Sequence, residues 1–598
     1  MGSHDSYEYD VVVIGAGGAG LRAAIEASAQ GAKTALLCKS LLGKAHTVMA
    51  EGGVAAALGN VYSEDNWKVH FRDTMRGGKF LNNWRMAQLH AQEAPARVNE
   101  LEAWGALFDR TKSGRILQRD FGGHRYARLA HVGDRTGLEI IRTLQQHAVH
   151  KGIDVHMEFT VSRLLKDGDR ISGAMGYWRE SGRFAFFNAK AVVLATGGIG
   201  KAFKITSNSW EYTGDGHSLG YWAGADLIDM EFVQFHPTGM IWPPSVRGIL
   251  VTEGVRGDGG VLKNSDGKRF MFDYIPDLFR AETADTEEEA DRWAANHADN
   301  RRPPELLPRD EVARAINSEV KAGRGSPHGG VYLDIASRLD AATIRRRLPS
   351  MYQQFKELAD VDISRDPMEV GPTCHYMMGG IRVDADTGAS TVPGLFAAGE
   401  VAGGLHGANR LGGNSLSDLL VFGRRAGLGA AQYAKELGSQ PKVDAKGVET
   451  ASNELLSPFE RESGENPYEV QHRLQETMQK LVGIIRTGDE LTQAIEELGK
   501  LREQAQNVTV EGHRQYNPGW HLSMELKSLL TISEAIARAA FERQESRGAQ
   551  TREDYPERDS ELGKVNVVIR RNEAGGMTVS REPLPEMPAE LRELLEDS

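Results

Sequence analysis

The first apolar run of the chain, in YDVVVIG (Tyr9–Gly15), is β-branched and ends in glycine, which predicts a buried strand. It feeds GAGGAGLRAAIEASAQG, a predicted helix whose Ala19, Ala23, Ala24 and Ala27 allow close packing. Gly31 ends that helix, and TALLCKS (Thr34–Ser40) reads as a second strand. A strand–helix–strand unit of this kind is where a dinucleotide fold begins. Strand-like runs return in FNAKAVVLATGG (Phe187–Gly198) and VPGLFAAGE (Val392–Glu400). The nucleotide-binding sheet is therefore expected to be assembled from distant segments, with other domains inserted.

One insertion is expected from Ile241 to Glu369, and within it Thr283–Glu305 is charged and proline-bounded, as a surface excursion would be. From Pro458 to Arg543 the chain is rich in Glu, Gln, Leu, Lys and Arg. Apolar residues recur at i, i+4 in LTQAIEELGKLREQAQ, so antiparallel helices are predicted there. The tail after Ser546 is polar, with one strand-like run, VNVVIRR.

Composition changes this picture in a few places. Glycine makes up 67 of 598 residues, above the ordinary ~7%, which suits tight turns around a large cofactor. The net charge is −12 and there is no basic tract, so no nucleic-acid partner is expected. Only Cys38 and Cys374 are present, too few for an iron–sulfur cluster or a cysteine-rich zinc site, and no metal site is expected. A reducing compartment fits. The start, MGSHDSYEYD, shows no secretory signal, and Val11–Leu21 covers only about half a membrane span. Membrane association is expected only through a partner or the surface.

Seven clusters carry candidate chemistry. Gly15-x-Gly17-x-x-Gly20 follows a strand and opens a helix, where free N–H groups favour a diphosphate. TALLCKS lacks the acidic residue that would bind an NAD ribose. Ala195-Thr196-Gly197-Gly198 closes a second strand, and the pair suggests FAD. The others are KAHTVMAEGGVAA with His46, QFHPTG followed by LVTEGVRGDGG, LPRDEVARAI with Arg309, PTCHYMMGGI with His375, and GANRLGGNSLSD with Arg410. Taken singly, each has a bland reading: His236 as a turn histidine, Arg309 as a helix-end charge, Arg410 as a loop cation. Jointly, histidines and arginine forks near a flavin suit a small dianion, because guanidinium binds carboxylate bidentately.

In this order the motifs resemble the flavoprotein subunit of succinate dehydrogenase and fumarate reductase, over Tyr9 to Asp559. The resemblance implies an α/β fold. It has a Rossmann-like FAD-binding domain (1–240 and 370–440) and an inserted α+β capping domain (241–369). A helical domain (441–545) and a C-terminal tail domain (546–598) follow. It implies FAD attached covalently through His46. The family's FAD contacts fall on Gly15, Ala16, Gly17, Gly18, Ala19, Gly20, Cys38, Lys39, Ser40, Thr47, Glu51, Gly52 and Gly53. Further contacts fall on Ala195, Thr196, Gly197, Asp215, Glu400, Ser415 and Leu416. Dicarboxylate ligands fall on His236, Thr252, His375 and Arg410, a proton shuttle on Arg309, and its relay on Glu253 and Arg256.

The activity implied is oxidation of succinate to fumarate, with electrons passing to an iron–sulfur subunit, then through membrane anchor subunits to quinone. The implied place is the cytoplasmic face of the bacterial cell membrane, peripheral through those partners. The alternatives are a chain working mainly as a fumarate reductase, an L-aspartate oxidase, and a non-catalytic flavin-binding protein. Soluble fumarate reductases and L-aspartate oxidase lack the histidine, so His46 argues against them. The chain departs from the family at Ala45, where Ser is usual, at Glu51, where Gln is usual, and at Gln550, where the tail motif has His. A carboxylate at Glu51 is expected to lower the flavin potential.

Overall fold

The computed structural model describes residues 5–293 and 299–596. At its centre the strand Asp5–Ile14 pairs in parallel with Thr34–Leu37 on one side and Phe184–Leu194 on the other. Asp154–His156 extends the sheet beyond Thr34–Leu37. The strand Phe184–Leu194 serves two neighbours on its far edge. Its first half pairs antiparallel with Arg170–Trp178, itself paired with Phe159–Asp167. Its last three residues pair in parallel with Leu395–Ala397. Seven strands result, and three distant apolar runs close one sheet.

Two helices, Gly18–Ala29 and Asn414–Leu437, pack against each other beside this sheet. The alanines read from the sequence are the contact points. A Cβ on Gly423 or Gly427 would lie 2.7 Å from the carbonyl oxygen of Ala19 or 2.3 Å from that of Ala23, so neither helix tolerates a larger residue there.

A second sheet is antiparallel, in the order Val233–Met240, Met368–Met377, Val331–Asp334, Val261–Lys263. It has its own apolar core, including Val312, Ile316 and Phe355, against which the helix Arg309–Lys321 packs. Two adjacent strands of the sheet, Val233–Met240 and Met368–Met377, lie wholly or largely outside the expected insertion 241–369. They carry His236 and His375, so this sheet reaches directly into the region between the two layers. The segment expected as a surface excursion is tied down: Thr283, Ala284, Ala290, Trp293 and Glu305 are buried, and Arg301 grips Asp285 and Glu289. Residues 294–298 of that excursion lie outside the described residues.

Four helices follow: Ala445–Glu460, Pro467–Leu481, Gly488–Gln506 and Pro518–Glu542. The third starts with a capping box formed by Thr487 and Glu490 and buries Leu491, Ala494, Leu498 and Leu501, one face of a 3.6-residue repeat. Among the described residues no helix is long and apolar enough to cross a membrane. VNVVIRR is a strand, Val565–Arg571, in a hairpin with Met577–Pro583. The second strand is half exposed and therefore carried no apolar run to announce it.

The departure at Gln550 is resolved by its surroundings. Its side chain is fully buried and donates to the carbonyls of Ala540 (2.9 Å) and Arg543 (3.2 Å), at the end of the helix Pro518–Glu542. Its Oε1 accepts from Arg486 Nη1 at 2.5 Å. An amide can both donate and accept here, pairing helix-end carbonyls and a buried guanidinium at once. Gln550→Ala should therefore cost about 3 kcal/mol, from unpaired buried groups rather than lost volume. Thermal unfolding should begin several degrees lower in the variant, and an unchanged transition would remove this role from Gln550.

Candidate active site

Between the two sheets lies a cavity of about 430 Å³. All the candidates named from the sequence line it except Gly20 and Arg256. Its first wall is the glycine turn. Gly15 has φ +110°, and a Cβ there would lie 2.1 Å from the carbonyl of Ala195, so the ends of two parallel strands abut. A Cβ on Gly20 would lie 1.7 Å from the carbonyl of Gly15. Gly20 thus packs helix on strand and does not face the cavity. Gly17 precedes the helix Gly18–Ala29, and Gly18 N donates to Thr47 Oγ1 at 3.3 Å. That helix start lines the cavity and offers an anion its N–H groups and its dipole.

Beyond the next strand end, Lys39 Nζ is paired with Asp215 Oδ2 at 2.9 Å and Glu525 Oε1 at 2.8 Å. TALLCKS itself has no acid, and the carboxylate nearest its Lys39 along this wall comes from Asp215, which lines the cavity. Glu525, from the helix Pro518–Glu542, had no motif to mark it. Cys38 lies beside them, and burial pushes its thiol up to about 12, so it is not a thiolate. Glu400 accepts from Met377 N at 2.9 Å, and burial pushes its carboxyl up to about 8.

His46 sits in the turn His46–Met49. Ser209 N donates to its Nδ1 at 3.3 Å, and the Asn208 amide lies 3.3 Å from its Nε2. Tyr212 meets the ring edge-on at 4.7 Å. Burial pushes His46 down to about 4, leaving a neutral imidazole at neutral pH, with an N–H donor facing each ring nitrogen. Burial, with Asp134 nearby, holds the Glu51 carboxyl well above the usual range despite Arg119, and its Oε2 has no hydrogen-bond partner among the described residues. The shift favours the protonated acid over the carboxylate the sequence suggested.

The opposite end of the cavity is cationic. Arg309 Nε donates to Glu253 Oε2 at 2.8 Å, and Gly122 N donates to Glu253 Oε1 at 2.8 Å. Burial alone would raise Glu253, but Arg309 and Arg256 hold it below the usual carboxylate range. Arg256 stands behind Glu253, 3.9 Å from its Oε2, with Nη1 on the carbonyl of Glu305. Arg410 lies 4.2 Å over the Tyr376 ring, donates to Ser415 Oγ at 3.0 Å, and leaves Nε without a protein partner. Burial and Arg309 push it down to about 9, still protonated at neutral pH. His236 and His375 face each other with ring centroids 5.1 Å apart. His236 Nδ1 lies 2.9 Å from the Thr238 carbonyl and 3.2 Å from Thr238 N, and His375 Nδ1 lies 2.8 Å from Ser207 Oγ. Burial first, then neighbouring cations, holds both imidazoles well below their usual value. Thr252 lines the same end. Phe121, Asn208, Tyr212 and Tyr376 also line the cavity without having been picked out. Only Tyr376 lies inside a motif that the sequence had marked.

A glycine-turn dinucleotide fold whose cavity ends in two arginines and two histidines has the frame of a flavoprotein oxidoreductase with one cationic end. Residues 10–416 match the FAD binding domain model, and residues 471–593 match the model of the fumarate reductase flavoprotein C-terminus. The chain is 42% identical to a subunit of the CoM/CoB fumarate reductase of Methanothermobacter marburgensis, over 95% of this chain and 98% of that one. It is 38% identical to the succinate dehydrogenase flavoprotein subunit of Coxiella burnetii, with 92% of each covered. The structure of Mycobacterium smegmatis Sdh1 in complex with UQ1 is similar with a TM-score of 0.85. It is 59% identical, over 97% of this chain and 95% of that one. The chain belongs to the succinate dehydrogenase and fumarate reductase flavoprotein subunit family, and it is an FAD-dependent oxidoreductase.

The raised carboxyl of Glu51 has a measurable consequence. At a pH where burial keeps it protonated, the flavin potential of Glu51→Gln should match that of the native protein, because amide and acid are both uncharged. At higher pH the native potential should fall away from the variant's as the buried acid ionises and disfavours a reduced flavin. Spectroelectrochemical titration across pH tests this, and a large gap already at pH 7 would show that Glu51 is ionised.

Proposed function

We propose that the chain oxidises succinate to fumarate as the flavoprotein subunit of a membrane-attached complex. The observation that carries this reading is the buried Arg309–Glu253 pair, 2.8 Å apart, in one cavity with Arg410, His236 and His375. Bound FAD supplies the hydride acceptor. Arg410, His236, His375 and Thr252 hold the two carboxylates, the arginine by charge and the histidines by Nε2–H, in the tautomers whose Nδ1 accepts from Thr238 N (3.2 Å) and Ser207 Oγ (2.8 Å). Once the hydride has left, the adjacent carbon gives a proton to Arg309. A guanidinium is ordinarily full of protons. Arg309 accepts one only while its Nε proton moves to Glu253, which its neighbours keep ionised and therefore ready. Arg256, behind Glu253, is the next group outward.

The reading extends to covalent attachment of FAD through His46, whose neutral imidazole has the lone pair such a bond needs. It also extends to an iron–sulfur subunit, because the two cysteines of this chain cannot ligate a cluster. Membrane anchors and quinone complete the path, on the cytoplasmic face of a bacterial cell membrane. The similar Sdh1, solved with UQ1, supports the quinone. A second reading, fumarate reduction as the main direction, is favoured by the name of the methanogen relative. It uses the same residues with the proton running from Glu253 through Arg309 to carbon.

Succinate-dependent dye reduction and malonate binding by the flavin-loaded protein test the substrate. Absence of both would end the dicarboxylate reading. Arg309→Lys should lower kcat by ~10²–10⁴-fold while malonate binding is largely kept, with partial recovery at high pH as lysine deprotonates. A large rise in KM with kcat near normal would make Arg309 a carboxylate clamp instead. For His46, the denatured band should fluoresce in acid, and His46→Ser should retain FAD that denaturation releases. Release of all the flavin on denaturing the unsubstituted protein would exclude the covalent bond.

A further inference from the structure

The geometry points to Gln234 as the positioning residue that sets Arg309 and Arg410 together, from behind the cavity and without touching substrate. The inference rests on the dicarboxylate reading of the site. Gln234 is 1% exposed, and each of its hydrogen bonds goes to a residue of the site or to that residue's chain neighbour. Its Oε1 accepts from Arg410 Nη2 at 3.0 Å and from Arg309 Nη1 at 3.3 Å. Its Nε2 donates to the carbonyl of Arg410 at 2.7 Å and to Asn409 Oδ1 at 2.8 Å. The amide orientation is therefore unambiguous in chemical terms, with the oxygen toward two guanidinium groups and the nitrogen toward two oxygens.

The arrangement closes on itself. Asn409 Nδ2 donates to Asp310 Oδ1 at 2.9 Å. Asp310 is the chain neighbour of Arg309, and Asn409 is the neighbour of Arg410. Two adjacent pairs, one on the helix Arg309–Lys321 and one on the loop before Asn414–Leu437, are thus joined through a single side chain. That side chain lies on the strand Val233–Met240, two residues before His236. Three separate elements are brought into register at one amide.

The neutrality of the amide matters as much as its reach. The two guanidinium nitrogens lie within about 6 Å of each other, where like charges repel strongly in a dry interior. A carboxylate between them would relieve that repulsion and cancel the positive charge a dianion needs. An amide oxygen holds both groups at fixed distance and leaves their charge for the substrate. Glutamine meets both demands, and neither glutamate nor leucine does.

The test uses flavin-loaded protein, with flavin content and thermal stability measured beside malonate binding by calorimetry and succinate kinetics. In Gln234→Glu, malonate affinity should fall at least tenfold and succinate KM should rise in step, while kcat changes by less. Gln234→Asn keeps a neutral amide that reaches only one arginine, so its loss of affinity should be smaller. Malonate affinity unchanged in both variants, with the native protein binding normally, overturns the inference. Loss of flavin or folding in both variants also overturns it, since Gln234 would then serve the fold rather than the arginines. If the native protein itself binds no malonate, the dicarboxylate reading fails first, and the two failures are told apart.

Discussion

Everything at the substrate end depends on keeping two guanidinium groups charged in a place from which water is largely removed. Bare burial of an arginine is costly, and burying two side by side adds their repulsion. The structure offsets this with one ionised carboxylate, Glu253, fixed from one side by Arg309 and from the other by the backbone N–H of Gly122. Arg410 has an aromatic face beneath it instead of a second carboxylate. One anion against two lining cations leaves an excess of positive charge that only an incoming anion can balance. A third cation, Arg256, stands behind them. On the dicarboxylate reading proposed above, a dianion bound there would offset that excess.

That arrangement explains why the second sheet has to cross into the first domain. His236 and Gln234 ride on one strand, His375 and Tyr376 on its antiparallel neighbour, and the two imidazoles meet because the register pairs His236 with Thr373. The strand start is anchored from the rear. Arg543 is fully buried and paired with Asp229, Glu231 and Glu545, which ties the helical and tail segments to the residues just before Val233. The long helical appendage is thus connected mechanically to the site even though it contributes no substrate ligand. It does reach the other end of the cavity, where Glu525 shares Lys39 with Asp215.

What could be read from the sequence followed from how each residue acts. Gly15 and Gly20 were legible because only glycine fits where the backbone of a strand end or a helix start comes within 2.1 Å of a would-be Cβ. His46, Arg309 and Arg410 were legible through motifs resembling a known family. The alternating and 3.6-residue patterns announced the strands with continuous apolar runs and the helix Gly488–Gln506. Residues that act only through tertiary contact stayed silent. Glu525 meets Lys39 from a helix far away in the chain, and nothing local distinguishes it from an ordinary surface glutamate. Phe121 lies in a loop without periodicity. The charge state of Glu51 could not be read either, because ionisation depends on burial and neighbours that only the fold supplies.

Glu51 and His46 together show how one cavity keeps two electrostatic characters. At the His46 end the groups without a charged partner are pushed toward their neutral forms: His46 down to about 4, Glu51 well up, and Glu400 up to about 8, while Lys39 stays paired with Asp215 and Glu525. At the other end Arg410 stays protonated and Glu253 stays ionised. Burial is common to both ends, so it cannot be what separates them. The difference is the density of partners. Arg309 and Arg256 hold Glu253 in its charged form, whereas His46 has only amides and an aromatic edge around it. The neutral groups around His46 and the charged groups around Arg309 follow from the same low dielectric, applied to unpaired groups in one case and to paired groups in the other.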